Sequence, residues 1–440
     1  MKLIISLLLL IPSLSWGLTF KDGKQVDEGD TASSITEEVT ESSRPKSIFI
    51  SDSELNDFLN LSQNHKMKVC GFNYFIPDWK WIDKNLADKI SGYNSRMDNS
   101  AEGEYSKEVY RRFADVATYV FVSNDLEVKE RLFEKLYQWS VNEALLETTI
   151  CYNRNRNDKI RPHCEGAWSN PNGQDLAPIM DAGVSLDIGI GLNYIYQWVF
   201  ADYKRNDPRH SVIKNYLKEW EKRTPLSDNF FGFGLQIGWF VPEIYFRHQN
   251  NQNYNGYIKK MLNGANRWMN KDGSIKDRTT RGNRALWYHH TAVAEAFLAM
   301  EIAKANNVEL PKGYEEKFLN AVDLFYKAYL DNSYITKWAK QSFNAQFDKN
   351  NPDNQIFQKY LARIEFGGYW FWGFQYRYPD HPFSQYLFEE LRSSAENLKS
   401  DTNYGIGLGC IYNALSKPVG LDKEEINKIN LLEKLELAIQ

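Results

Sequence analysis

The 440-residue chain reads as an all-α protein, and three observations lead there. Apolar residues recur at three- and four-residue steps through one segment after another. Runs of alternating apolar and polar residues, the pattern of half-buried strands, are absent at any consequential length. The breaks fall at turn chemistry such as "NPNGQD", "NKDGS" and "YPDHP".

Taken in chain order, "MKLIISLLLLIPSLSWG" puts one lysine before an apolar run, with Ser15 and Gly17 as small residues at −3 and −1. This predicts a signal peptide over residues 1–17 and a periplasmic or secreted product. The run is short for a membrane span and no later segment matches its apolar length, so no membrane association is expected once the signal is removed. Residues 18–47 include "KDGKQVDEGDTASSITEEVTESSRPK", too polar and acidic to bury a core, and read as a flexible linker. Residues 48–440 read as a single helical domain, long enough for a sizeable core. Helical periodicity runs through "EYSKEVYRRFADVATYVFV", "DLEVKERLFEKLYQWSVNEALL" and "LAPIMDAGVSLDIGIGLNYIYQWVFADY". It continues in "SVIKNYLKEWEKR", "YNGYIKKMLNGANRWM", "RALWYHHTAVAEAFLAMEIAKA" and "GYEEKFLNAVDLFYKAYL". "FSQYLFEELRSSAENL" and "KEEINKINLLEKLELAI" complete the series, about a dozen helices expected to pack as pairs around a common core.

A net charge of −4 argues against nucleic acid, which needs a dominant basic surface. It is compatible with an acidic sugar polymer steered into a local basic cleft. The 13 Trp and 26 Tyr suit ring-stacking platforms for sugars as well as a core. Cys151 and Cys164 bracket "YNRNRNDKIRPH", a segment that a disulfide can close in an oxidising compartment. Cys70 and Cys410, far apart in sequence, leave a second bridge open. No Cys-x-x-Cys or His-x-x-x-His spacing supports a metal site, and neither a metal nor an organic cofactor is expected.

Proton and anion chemistry is densest in "RGNRALWYHH", Arg281 to His290. If the helix runs back through Arg281, then Arg281, Arg284 and Tyr288 stand at i, i+3 and i+7 and share a face. Positive charge there favours the anion of a phenol, a group that titrates near 10 on its own, which makes Tyr288 a candidate acid–base group. The plain alternative is a core tyrosine flanked by two surface arginines. His289 stands about 100° further round the helix. It reads either as part of the motif or as a packing histidine.

"DGSIKDRTTRGNRALWYHHTAVAEAFLAMEIAKANNVEL" resembles the corresponding segment of mannuronate-type alginate lyases, polysaccharide lyase family 5. Arg281, Arg284, Ala285, Leu286, Tyr288 and His289 match that family's R-x-x-R-A-L-x-Y-H. Looser similarity spans about residues 85 to 390, including "LYQWSVNEALLE" and "WFWGFQYRYPDHP". The resemblance implies an (α/α) toroid with a deep cleft, and β-elimination across C4–C5 of a uronic acid. That reaction needs a group to neutralise the C5 carboxylate, a base for the C5 proton and an acid for O4. The resemblance assigns base and acid to Tyr288, with Arg281 assisting and Arg284 as further electropositive support.

The family's Asn-Asn-His-x-x-Trp signature is not intact. Aligning Trp239 with its tryptophan, in "SDNFFGFGLQIGWFVPEIYF", puts Gln236 in the histidine's place and leaves Asn229 as the nearest asparagine. A glutamine amide can still donate to a carboxylate, so Gln236 and Asn229 are carried as catalytic candidates. His163 in "RPHCEG" is a further substrate-binding candidate. Trp370, Trp372 and Arg377 are expected to line the cleft, the arginine for a flanking carboxylate, with core packing as the alternative for the two tryptophans. "SGYNSRMDNSAEGEY" stands where the family has a lid, with Tyr93 and Arg96 as candidate contacts. The expected partner is an acidic polysaccharide, of mannuronate, guluronate or glucuronate. The sequence carries no signal for oligomeric state or for endo against exo cleavage. Two alternatives stand beside the lyase: a non-catalytic polysaccharide-binding protein on the same scaffold, and a toroidal glycoside hydrolase. The latter needs a carboxylate pair, and none stands out.

Overall fold

The computed structural model describes residues 47–72, 75–80, 99–144, 146, 188–223, 233–341, 352–355, 369–391 and 406–416. The chain divides into residues 1–43 and residues 44–440, and every described residue belongs to the second unit. Among the described residues the protein is all-α, with no strand and one isolated bridge between Met269 and Ile275.

The N-terminal half begins with α1 (Asp52–Asn60) and α2 (Gln63–Val69), followed by α3 (Asn99–Ser123) and α4 (Leu126–Val141). Next comes α5 (188–195), which runs into a π-helical turn at Tyr196–Phe200. α6 (Arg209–Arg223), α7 (Phe233–Gln249) and α8 (Asn255–Trp268) follow. The C-terminal half holds α9 (Ala285–Ala305), α10 (Tyr314–Leu330), α11 (Ser333–Ala339), α12 (Tyr369–Arg377), α13 (Pro382–Leu391) and α14 (Leu408–Leu415). The terminal segment "KEEINKINLLEKLELAI" and the Cys151–Cys164 pair lie outside the described residues.

Local chemistry sets several of these boundaries. Ser51 and Glu54 form a capping box at α1, each side chain accepting from the other's backbone N–H at 3.3 Å. Asp125 caps α4 by accepting from the N–H groups of Glu127 and Val128. Leu132, Phe133, Leu136 and Trp139 form the buried face of α4, at helical spacing. Each such side chain contributes about 1.5–3 kcal/mol through its burial. Trp139 stacks on Phe113 of α3 with ring centroids 5.0 Å apart.

α9 is apolar on every side and is buried against α7, α8, α10, α11 and α12. It is therefore the central helix of the C-terminal half. The first and last described helices meet: α14 packs on α1, α2 and α12, and Cys410 of α14 is bonded to Cys70 at the end of α2. Their Cα atoms are 4.9 Å apart, a separation suited to a disulfide.

A buried ionic cluster reinforces this junction. Arg377 donates to Glu301 of α9 at 2.5–3.1 Å and pairs with Glu54 of α1, while the Tyr412 hydroxyl donates to Glu301 at 2.7 Å. Burial would raise the Glu54 carboxyl, yet hydrogen bonds from Arg377 and Ser51 hold it down at about 2. Much of the aromatic content is core. Trp139, Trp220 and Trp370 are fully buried, and Trp370, Phe371, Phe374, Phe325 and Phe383 pack together around α12.

Candidate active site

The Asn270–Arg284 segment brings the polar groups onto α9. It begins with a tight turn in which Asp272 accepts from the backbone N–H and hydroxyl of Ser274, at 3.1 and 2.6 Å. Gly273 has φ +82°, and any Cβ there would collide with the Asn320 carbonyl, so the "NKDGS" break needs its glycine twice over. Thr279, fully buried, closes the next turn. Its hydroxyl accepts from Ile275 N at 2.7 Å and lies 3.1 Å from His289 Nδ1.

The α-helix does not run back through Arg281. Gly282 adopts φ +56°, Gly282–Arg284 form one 3-10 turn, and α9 begins at Ala285. The shared helical face expected for Arg281, Arg284 and Tyr288 is therefore replaced by a turn that folds Arg281 back. Its guanidinium carbon lies 4.1 Å from the centroid of the Tyr288 ring. A second guanidinium, that of Arg278, lies 5.5 Å from the same centroid. Among the described residues, these two are the cations over the ring. Arg284 is half-buried at the N-cap of α9, with its N–H donating to the Arg281 carbonyl at 3.0 Å.

Trp287, Tyr288, Thr291 and Glu295 are half-buried, whereas residues 289, 290, 292–294 and 296–303 are buried and only the last two residues, Lys304 and Ala305, are open again. At spacings of three, four and seven residues they form one stripe, so α9, up to its C-terminal end, is enclosed except along the line that begins at Trp287 and Tyr288. Asp272, Thr279 and Gly282 thus deliver two arginines to the upper end of the open stripe of a central helix.

Gln355 anchors this turn and was not foreseen. Its Oε1 accepts from Leu286 N at 2.9 Å, and its Nε2 donates to the carbonyls of Gly282 at 2.9 Å and Pro352 at 2.6 Å. It thereby satisfies an orphan N–H in the first turn of α9 and pins the left-handed glycine beside it. Arg278 was also missed. Its position in "SIKDRTT" follows no helical spacing from Tyr288, and only the folded turn brings it near.

Four sequence candidates prove to be packing residues. His289 is wholly buried; its Nε2–H donates to the Ala321 carbonyl at 2.9 Å, which leaves Nδ1 an acceptor 3.1 Å from the Thr279 hydroxyl, whose proton also faces the Ile275 carbonyl at 3.0 Å. Burial depresses its pKa to about 4, so it is a neutral strut between α9, α10 and the turn, not a substrate contact. Trp370 is fully buried and donates its indole N–H to His290 Nε2 at 3.0 Å. Trp372 is buried on the same helix. Arg377 is committed to Glu301 and Glu54 and is unavailable to a ligand carboxylate.

Gln236 and Trp239 stand on α7, which packs against α9, but their side chains lie outside the described residues. Asn229, His163, Tyr93 and Arg96 also lie outside them. Among the described residues no group of His, Cys, Asp and Glu is arranged to hold a metal ion, and no helix is long and apolar enough to cross a membrane. No protein-family model matches the chain, and neither does any curated protein or solved structure.

Proposed function

We propose that the protein is an exported polysaccharide lyase that cleaves a uronic-acid polymer, mannuronate-rich alginate foremost, by β-elimination. In this reading its helices pair into an (α/α) toroid whose cleft runs along the open stripe of α9. The observation that carries the proposal is the Arg281 guanidinium 4.1 Å above the Tyr288 ring, on the half-buried stripe of an otherwise largely buried helix. A phenol in that position has positive charge beside it and access to a ligand, the two properties β-elimination asks of its base. The return of α14 onto α1 and α2 supports ring closure, and the Cys70–Cys410 bridge supports an oxidising compartment.

The reaction then proceeds in one sense. Tyr288, as phenolate, takes the C5 proton of the uronate. The C5–H electron pair becomes the C4–C5 double bond as the C4–O4 bond breaks. The proton on Tyr288 passes to O4 of the departing chain, which regenerates the phenolate. Arg281 offsets the negative charge that builds on the sugar carboxylate and the phenol oxygen during transfer.

The test is ultraviolet absorbance of the unsaturated product, with polymannuronate, polyguluronate and glucuronan as substrates. We expect a rise on polymannuronate that falls by at least ~10²-fold in Tyr288→Phe, the scale of a lost acid–base group. New reducing ends without absorbance would make the protein a hydrolase. Binding with neither product would make it a non-catalytic polysaccharide-binding protein.

A further inference from the structure

Arg278 is an unusual residue to find beside Tyr288. Its side chain is only 13% exposed, and its Nε is buried without a hydrogen-bond acceptor among the described residues. The Asp277 carboxylate pairs with it only at long range, 3.9 Å from that Nε and beyond hydrogen-bonding distance. A guanidinium stays charged under all ordinary conditions and offers five N–H donors in a planar fork. Burying one with a donor unmet is unfavourable, and Arg278 shares a single aromatic ring with a second guanidinium, that of Arg281. Like charges brought together in a half-enclosed place favour an anion between or beside them.

The turn that carries Arg278 is built to hold it there. Arg278 N donates to the Ile275 carbonyl at 3.2 Å, and Thr279 N donates to the same carbonyl at 2.9 Å. Asp277 takes a left-handed conformation at φ +64°. The buried Thr279 hydroxyl ties the turn to His289 of α9, one residue past Tyr288. The backbone that carries the guanidinium is therefore fixed relative to α9 by groups that are themselves buried and hydrogen-bonded.

We propose that Arg278 forms the carboxylate-binding subsite beside Tyr288, its fork receiving the carboxylate of a uronate residue. This rests on the acidic-sugar reading of the site. It gives the protein its own neutralising group in the first coordination of the sugar acid, independent of whatever stands on α7. Arg–carboxylate pairs are frequently bidentate, which also fixes the orientation of the ring that carries the acid.

Titration calorimetry tests it with two probes, a saturated mannuronate tetrasaccharide and its fully methyl-esterified, uncharged counterpart. All proteins carry Tyr288→Phe, so neither probe is turned over. The Arg278-intact protein is expected to favour the acid over the ester by at least tenfold. Arg278→Gln should lose most of that preference, while Arg278→Lys, which keeps the charge without the fork, should keep part of it. If the Arg278→Gln protein discriminates acid from ester as well as its parent does, or if the parent shows no preference, the subsite is not at Arg278. Should Arg278→Gln fail to fold, Arg278→Lys decides alone: an undiminished preference overturns the bidentate fork. These outcomes are separate from the absorbance assay. A lyase with an unchanged acid preference in Arg278→Gln sinks this inference only, and an inactive protein with an Arg278-dependent preference sinks only the lyase reading.

Discussion

Gln355 carries three hydrogen bonds on one amide, and all three hold the geometry on which the site depends. Replacing it with leucine leaves the Leu286 N–H and the Gly282 carbonyl without partners in a buried place. An unmet buried backbone group costs about 1–3 kcal/mol, so Gln355→Leu is expected to lower unfolding free energy by roughly 2–4 kcal/mol in urea titrations. A loss under ~0.5 kcal/mol would mean that water or another side chain replaces the amide. The same residue shows a limit of sequence reading. Gln355 sits in "KNNPDNQIF", a polar stretch with no periodicity, and its partners are 69 and 73 residues away. Arg281 does lie beside Tyr288, but through the Gly282–Arg284 turn and not through the helical spacing from which their nearness was expected. Arg278, Thr279 and Gln355 act through a folded turn, and no residue pattern encodes where a turn's side chains land.

Long amphipathic helices were the legible elements. α8 and α10 keep their apolar residues at helical spacing, and the structure places them within a residue or two of the periodic segments. The periodic segment starting at Arg284 comes within one residue of the start of α9, but its conditional extension back to Arg281 fails, because glycine alone does not announce that it will turn left-handed. The short helices α1, α2, α11 and α14 were not foreseen. At seven to nine residues they are too short to be stable alone and owe their existence to tertiary packing. α14 is the clearest case, since six of its eight residues are buried and a disulfide ties it to α2 across 340 positions. Cross-linking so long a loop restricts the unfolded chain severely. Cys70→Ser with Cys410→Ser is expected to lower stability by about 2–5 kcal/mol in urea titrations of the oxidised and doubly substituted proteins. Equal unfolding midpoints would show that α14 is held by packing and by the Arg377–Glu301–Tyr412 cluster without help from the bridge.

At the scale of the molecule, the buried histidines make stability depend on pH in a direction that the charge count alone does not give. Burial depresses His289 to about 4, and burial together with the neighbouring His289 depresses His290 to about 3. In the unfolded chain both titrate near 6.5. Between those values the unfolded state binds protons that the folded state refuses, so stability rises with pH and is lost as pH falls below ~6.5. Each histidine adds a slope of about 1.4 kcal/mol per pH unit through the window from roughly 6 to 4, and two add about twice that. The carboxylates act lower down. Glu54, held at about 2 by Arg377 and Ser51 against its burial, contributes stability that is complete above its unfolded value and disappears as pH falls through 2. Its loss therefore follows that of the histidines and does not mask it. Urea unfolding at pH 7, 6, 5 and 4.5 should show a steepening decline. His289→Gln should remove about one proton's share of the slope, whatever it does to stability at pH 7, because the amide cannot ionise. A slope unchanged by that substitution would place the titrating groups elsewhere, and His289 would then no longer count as a neutral strut between α9, α10 and the turn that presents Arg278 and Arg281.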